Sequence, residues 1–314
     1  MCGCFGIDIG GTTVKIGLFA ENGVILEKWE LPTRKERTPN GLFLDIRDSI
    51  TDCLQKRGMK KEDILGIGMT APGPVTQDGI LHGADNIGWG DVALAEEAER
   101  SIGISPVCVG NDARLAALGE VVYGAGKGAK SILMVTLGTG VGGGVVLNGR
   151  ILLGESGVAG EIGHITVNPF ETAHCNCGKR GCLEQYASAT GMVRVARQLL
   201  AERSEPSLLR QSEPLTAKAL WDAAKAGDAL AQEITDRVCA YLGMALADAV
   251  YLVDPERILL GGGVSLAGEL LLQKVRRAYQ SRVFPHSREK EILLAGLGKD
   301  AGIYGAVALL LQSL

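Results

Sequence analysis

The stretch GEIGHITVNPFETAHCNCGKRGCLE, Gly160 to Glu184, gathers the side chains best suited to chemistry in this chain. Cys175, Cys177 and Cys182 are spaced as thiols that converge on one ion, and His164 offers a fourth ligand. Three sulfurs and one imidazole make the donor set of a closed tetrahedral zinc site. Gly178 and Gly181 give the knuckle the freedom to fold three thiolates onto one point. Buried cysteines or a disulfide are the alternative, but C-x-C-G-x-x-G-C is too tight for ordinary core packing. His174, beside Cys175, competes with His164 as the imidazole ligand, and spacing leaves both open. Four protein ligands leave no open position for water or substrate, so the expected role is structural. Glu161 precedes His164 and Glu184 follows Cys182 closely enough that a metal holding those ligands also holds both carboxylates.

Three glycine-rich turns follow apolar strands. The first, D-I-G-G-T-T-V-K, carries Asp8, Gly10, Gly11, Thr12, Thr13 and Lys15. Its glycines let backbone N–H groups approach phosphate oxygens, its threonines add hydroxyl donors, and Lys15 adds positive charge. Asp8 is a hard oxygen ligand suited to Mg²⁺. The second, L-G-T-G-V-G-G-G, offers Gly138, Thr139 and Gly140 to terminal phosphates. The third, L-L-G-G-G-V-S, places Gly261, Gly262 and Gly263 before an expected helix through Leu270. None is a Walker A loop or a dinucleotide fingerprint, yet together they point to a nucleotide. Asn111-Asp112 caps a helix over ARLAALGEVVYG, and on spacing alone Asp112 is simply that cap.

The elements that must hold these residues alternate between strand and helix. CFGIDIG and VKIGLFA read as strands, and Asn22-Gly23 as a tight hairpin turn into VILEKWELP. Leu42, Ile46, Ile50 and Leu54 line one face of a helix over 40–57. A buried strand over 64–73, a helix over 91–103 and a strand over 106–112 lead to Asp112. Residues 131–152 form a strand pair, 188–252 are mainly helical with a surface loop at 202–214, and YLVDPERILLGGG reads as strand, turn and strand. The chain closes with a helix, DAGIYGAVALLLQSL. The glycine turns near residues 10 and 138 hint at a duplicated architecture. Trp89 either walls a pocket or fills a core.

At 314 residues the chain is long enough for two domains, expected over 1–111 and 112–300, with the helix 301–314 packed back on the first. Its 32 basic and 36 acidic side chains leave a net charge of −4, which argues against nucleic acid as a partner. No apolar run spans a membrane and no secretory signal is visible, so a cytoplasmic protein is expected. In that reducing setting eight cysteines favour metal over disulfide. Cys2, Cys4, Cys53, Cys108 and Cys239 show no ligand spacing and read as small apolar fillers.

Together, DIGGTTVK, APGPV, NIGW, GNDA, LGTGVGGG, GEIGH, CNCGKRGCLE and LLGGGVS resemble the ROK family of bacterial sugar kinases and repressors, within the actin-like ATPase superfamily. The resemblance spans nearly the whole chain. It implies an α/β, actin-like ATPase (ribonuclease H-like) fold, two domains around a central cleft, with a zinc knuckle. It implies ATP and Mg²⁺ as well as structural Zn²⁺, and the pattern APGPV…GADNIGW…GNDA points towards phosphorylation of a hexose such as glucose at its 6-hydroxyl. By the same resemblance Asp112 is the general base. Gly73, Asn86, Asn111, Glu161, His164 and Glu184 contact the sugar, and His164 rather than His174 ligates zinc. Kinases for N-acetylmannosamine, fructose or allose are the neighbouring possibilities, and polyphosphate replaces ATP in some relatives. Repressors of the family carry an N-terminal helix-turn-helix module, for which Asp8 leaves no room, and a sugar sensor without activity fits poorly with Asp8, Asp112 and the glycine loops. A homodimer or homotetramer is expected by family resemblance.

Overall fold

The computed structural model describes residues 2–33, 38–84 and 87–314. In chain order they form β1 (Gly3–Ile9), β2 (Thr13–Ala20), β3 (Ile25–Pro32), α1 (Pro39–Arg57), β4 (Ile64–Ala71), β5 (Ile80–Leu81), β6 (Val92–Ala93), α2 (Leu94–Ile102), β7 (Val107–Asn111) and α3 (Asp112–Tyr123). There follow β8 (Ile132–Leu137), β9 (Val141–Leu147), β10 (Arg150–Ile151), α4 (Glu184–Ala187), α5 (Ala189–Glu202), α6 (Ala217–Lys225), α7 (Ala229–Val253), β11 (Arg257–Gly261), α8 (Glu269–Gln280), β12 (Glu291–Leu294) and α9 (Ala301–Ser313). Their contacts divide into two units, residues 1–128 with 149–159 and 299–314, and residues 129–148 with 160–298. The boundary expected after residue 111 falls inside the first unit, because α3 packs along α9.

The first unit is built on a mixed sheet in the order β3–β2–β1–β4–β7. β1 is buried almost throughout, as a central strand covered on both faces must be. β1 and β2 are antiparallel with Asp8 opposite Lys15, and β4 and β7 run parallel to β1 and β4 respectively. One face packs on α1, where Leu42, Phe43, Ile46 and Ile50 meet Phe5, Ile7 and Ile16. Trp89 belongs to this core, 8% exposed and edge-on to Phe43, so it fills a core position. The other face receives α9, where Ile303, Val307 and Leu310 meet Cys4 and Phe19. Gly6 and Gly68 make that approach possible: a Cβ on either would run into the α9 carbonyls of Ile303 or Ala306.

In the second unit β9, β8, β11 and β12 hydrogen-bond in that order, with β9 antiparallel to β8 and the others parallel. Thus each unit holds an antiparallel hairpin followed by two parallel strands, β2–β1–β4–β7 in one and β9–β8–β11–β12 in the other. That is the duplication hinted at by the two glycine turns. Tyr251–Val253, expected as strand, instead completes α7. The reason is the apolar row Ile234, Val238, Leu242, Leu246 and Val250, which keeps helical spacing to the end and is buried. The expected helix over 91–103 begins only at Leu94, after the short strand β6. The loop over 202–214 includes a 3-10 turn, Leu208–Gln211. Among the described residues no helix is long and apolar enough to cross a membrane.

Candidate functional site

Asn111, the last residue of β7, is the N-cap of α3: its side chain accepts a hydrogen bond from the Arg114 amide at 3.2 Å. Its Nδ2 donates to the Gly73 carbonyl at 3.0 Å. The cap expected of Asp112 is therefore made by Asn111, and Asp112 stands one residue later as the first helical residue. Asp112 is exposed, and its Oδ1 accepts from the Ala113 amide at 2.7 Å. A carboxylate at this position faces the positive end of the helix dipole. Gly73 has φ +125°, which side-chain-bearing residues rarely adopt, and a Cβ there would strike the Gly83 carbonyl. The sugar contact expected of Asn86 lies outside the described residues.

Asp8, the penultimate residue of β1, is held from two sides. The buried Thr70 hydroxyl donates to its Oδ1 at 2.5 Å, and Lys15 Nζ stands 3.6 Å from Oδ2. Lys15 also donates to the Lys299 carbonyl at 2.8 Å. Its ammonium thus stands as a counter-ion beside Asp8, next to the first glycine turn. The Gly10–Thr13 turn closes on itself through Gly10 N to Thr13 O at 3.0 Å. Thr33, just beyond β3, fastens it, donating its hydroxyl to Gly10 O at 2.7 Å and its amide to Thr12 O at 2.8 Å.

In the second unit His164, Cys175, Cys177 and Cys182 bring one donor atom each within 4.8 Å of one another. Cys177 and Cys182 sulfurs are 3.6 Å apart, close to the ~3.8 Å edge of a tetrahedron with 2.3 Å metal–sulfur bonds. His164 turns Nδ1 towards Cys175 Sγ at 3.9 Å, and its backbone carbonyl accepts from Lys179 Nζ at 2.9 Å. His174 is engaged elsewhere, with Nδ1 3.1 Å from the Gly178 carbonyl and Nε2 2.9 Å from Arg180 Nη2. The rival imidazole is thereby excluded from the cluster. Burial raises the Cys175 pKa and pushes that of Cys182 to about 12, with the neighbouring thiols adding to the latter. Burial opposes ionisation of Cys177 too, but the Lys179 amide and the other two thiols outweigh it and lower its pKa. Such a cluster releases protons on binding a metal, which stabilises thiolates outright.

Glu184, the first residue of α4, lies between this cluster and the second glycine turn. Its Oε2 accepts from the Val141 amide at 2.9 Å, and its Oε1 is 3.9 Å from Cys175 Sγ. Glu161 precedes the 3-10 turn Ile162–His164 and is exposed. No spacing rule singles out Glu171, yet it organises the base of the knuckle. It accepts from Tyr186 Oη at 2.6 Å, Arg194 Nη2 at 2.9 Å and the Ala173 amide at 3.0 Å. Burial opposes its ionisation, but these bonds outweigh it and hold the Glu171 pKa at about 2.

Gly138 and Thr139 open onto a cavity of about 550 Å³, the size of a small-molecule site. Trp221, Thr216, Gly263 and Leu266 also line it. An adjoining cavity of about 580 Å³ shares Thr139 and Thr216 and adds Arg197. The third glycine turn joins this wall, though not as expected: Gly263–Ala267 is a 3-10 turn, and α8 starts only at Glu269. Gly262, at φ +81°, abuts the backbone of Leu137, which packs this turn against the end of β8. Thr216 N-caps α6 by accepting from the Ala219 amide at 3.1 Å. Trp221 is buried, and its Nε1 has no hydrogen-bond partner among the described residues. Sequence reasoning missed Thr216, Trp221 and Leu266; only the capping pattern T-A-K-A-L at Thr216 carries a signal.

The ROK family model matches residues 4–313. A glucokinase of Halalkalibacterium halodurans is 45% identical over 96% of this chain and 92% of its own. The crystal structure of a ROK family glucokinase from Streptomyces griseus in complex with glucose and AMPPNP is 34% identical, with a TM-score of 0.77 over 97% of this chain and 98% of that one. A ROK family transcriptional regulator is also similar, at 28% identity and a TM-score of 0.87, over 99% of this chain and 78% of that one.

Proposed function

The chain belongs to the ROK family, and on that premise we propose that it is a glucokinase, transferring the γ-phosphoryl group of ATP to glucose. The observation that carries this reading is the 45% identity to a glucokinase across 96% of the chain. The fold alone does not separate kinase from regulator, since a regulator shares it. Asp112 and the glycine turns favour the kinase.

Asp112 is the general base in this reading. It accepts the proton of the glucose 6-hydroxyl as that oxygen attacks the γ-phosphorus and the bond to ADP breaks. The Asn111 cap and its bond to Gly73 support the placement of that carboxylate. Gly73, Asn86, Asn111, Glu161, His164 and Glu184 orient the sugar. The cavity lined by Gly138, Thr139, Thr216, Trp221 and Gly263 takes the adenine nucleotide, and Gly261 and Gly262 lead into that wall, Gly262 packing on Leu137. Asp8 is suited to hold Mg²⁺, which when bound neutralises charge on the phosphates. Gly10, Gly11, Thr12 and Thr13 offer further phosphate donors.

His164, Cys175, Cys177 and Cys182 fit zinc in donor type and number. With four protein ligands it supplies rigidity to the knuckle. Because His164 presents Nδ1 to the cluster, its Nε2 remains for a sugar hydroxyl. A coupled ADP-release assay across glucose, mannose, N-acetylmannosamine, fructose and allose tests the assignment. Glucose is expected to turn over best, and turnover of another sugar well above glucose would overturn the choice of substrate.

A further inference from the structure

Three hydrogen bonds tie the second glycine turn to one short segment that begins at a proposed metal ligand. Two residues beyond Cys182, Glu184 accepts the Val141 amide at 2.9 Å. The Ala189 amide donates to the Gly138 carbonyl at 2.8 Å, and the Thr190 hydroxyl to the Thr139 carbonyl at 2.8 Å. Ser188 ties the segment to itself, donating to the Glu184 carbonyl at 2.6 Å and standing 3.0 Å from the Thr190 hydroxyl. Gly140 is part of the fit: a Cβ there would collide with the Glu184 carboxylate. Gly138 and Thr139 in turn line the 550 Å³ cavity.

We infer that Cys182–Thr190 is a strut coupling the metal cluster to the nucleotide loop, with Glu184 as its positioning residue. The inference rests on the nucleotide and metal readings above. An ordered cluster places the backbone of Leu183 and Glu184, and Glu184 with Ala189 and Thr190 then sets the backbone of Gly138–Val141. Without metal the three thiols separate, the segment loosens and the loop loses its template. Coupling between two ligands is reciprocal, so nucleotide must also retain the metal. Glu184 consequently serves nucleotide binding as well as the sugar contact proposed for it.

The test is binding rather than turnover, on the full chain without sugar. Calorimetry with ADP compares zinc-loaded and chelator-treated wild type, Glu184→Gln, Glu184→Ala and Gly140→Ala, with zinc content measured in parallel. Loss of the charge-assisted bond to Val141 should weaken ADP binding by about tenfold in Glu184→Ala. Glu184→Gln, which keeps an acceptor, should lose less. Gly140→Ala, which displaces the same carboxylate from the loop side, should match Glu184→Ala while keeping all four metal ligands. Chelation should weaken ADP binding to wild type by about as much and have little further effect in Glu184→Ala. In the reverse direction, ADP should slow zinc release to a chromogenic chelator in wild type and not in Glu184→Ala. Unchanged ADP affinity in folded, zinc-loaded Gly140→Ala, or zinc release indifferent to ADP in wild type, would overturn the strut. Wild type that binds ADP yet shows either result loses the strut alone; wild type that binds no adenine nucleotide removes the nucleotide reading with it.

Discussion

Asn111 caps α3 so that Asp112, the next residue, does not have to. The two side chains divide tasks that either could perform at a helix N-terminus. Asp112→Asn should therefore leave the helix intact while removing the base. We expect an unchanged melting temperature within about 2 °C and a fall in kcat of at least about a hundredfold. Coupled assay and thermal melts check both, and near-normal turnover would end the assignment of the base.

The neighbouring substitution should behave in the opposite order. Asn111→Ala removes a cap worth about 0.5–2 kcal/mol and the bond to Gly73. Asn111→Asp keeps a capping oxygen but loses the donor to Gly73. The alanine variant should lower the melting temperature, whereas the aspartate variant should retain most stability and lose activity. Equal stability of the two would show that the cap contributes little.

Metal removal distinguishes the two histidines. His164→Ala and Cys182→Ser should lower zinc content and stability, while His174→Ala should keep stoichiometric zinc, because its ring is bonded to Gly178 and Arg180 instead. Atomic absorption on purified variants decides the matter. A zinc-free His174→Ala protein would contradict the cluster.

Acid should weaken the knuckle base at a definable point. Glu171 has its pKa lowered from 4.5 to about 2 in the folded protein, so its ionised form stabilises the fold above the unfolded value. That contribution, on the order of 3 kcal/mol, fades as pH falls from about 4.5 towards 2. Glu171→Gln should be less stable than wild type near neutrality, with the gap closing through that window. Urea titrations at several pH values measure it, and a constant gap would refute the linkage.

Trp221 reports on the cavity. Of the three tryptophans, Trp29 and Trp89 lie in the first unit and Trp221 in the second, where its indole N–H has no partner among the described residues. Nucleotide should change the intrinsic fluorescence, and Trp221→Phe should abolish most of that change. A response preserved in the phenylalanine variant would move the nucleotide elsewhere.

The convergence of His164, Cys175, Cys177 and Cys182 was legible because the thiols are close in the chain and only a tight knuckle satisfies their spacing. The pairing of Asn111 with Gly73 was only half legible: each belonged to a motif, but their bond crosses from β7 to the loop after β4. The cavity was least legible. Thr139, Thr216 and Leu266 are brought together by tertiary packing, and each in its own segment is an ordinary turn or helix residue. The 3-10 turn after Gly262 was read as a helix start because glycine followed by apolar residues suits both.

The helix that covers one face of the first sheet lies far along the chain from the strands it covers. Cys4 and Phe19 leave the ribosome well before Ile303, Val307 and Leu310, which cover them and follow only after roughly 300 residues. At translation rates of roughly 5–20 residues per second, that face waits on the order of 15–60 s for its cover. During that interval the nascent sheet presents an uncovered apolar surface, the kind that holding chaperones shield. Premature termination before Ala301 should yield a protein that aggregates rather than one that merely lacks activity.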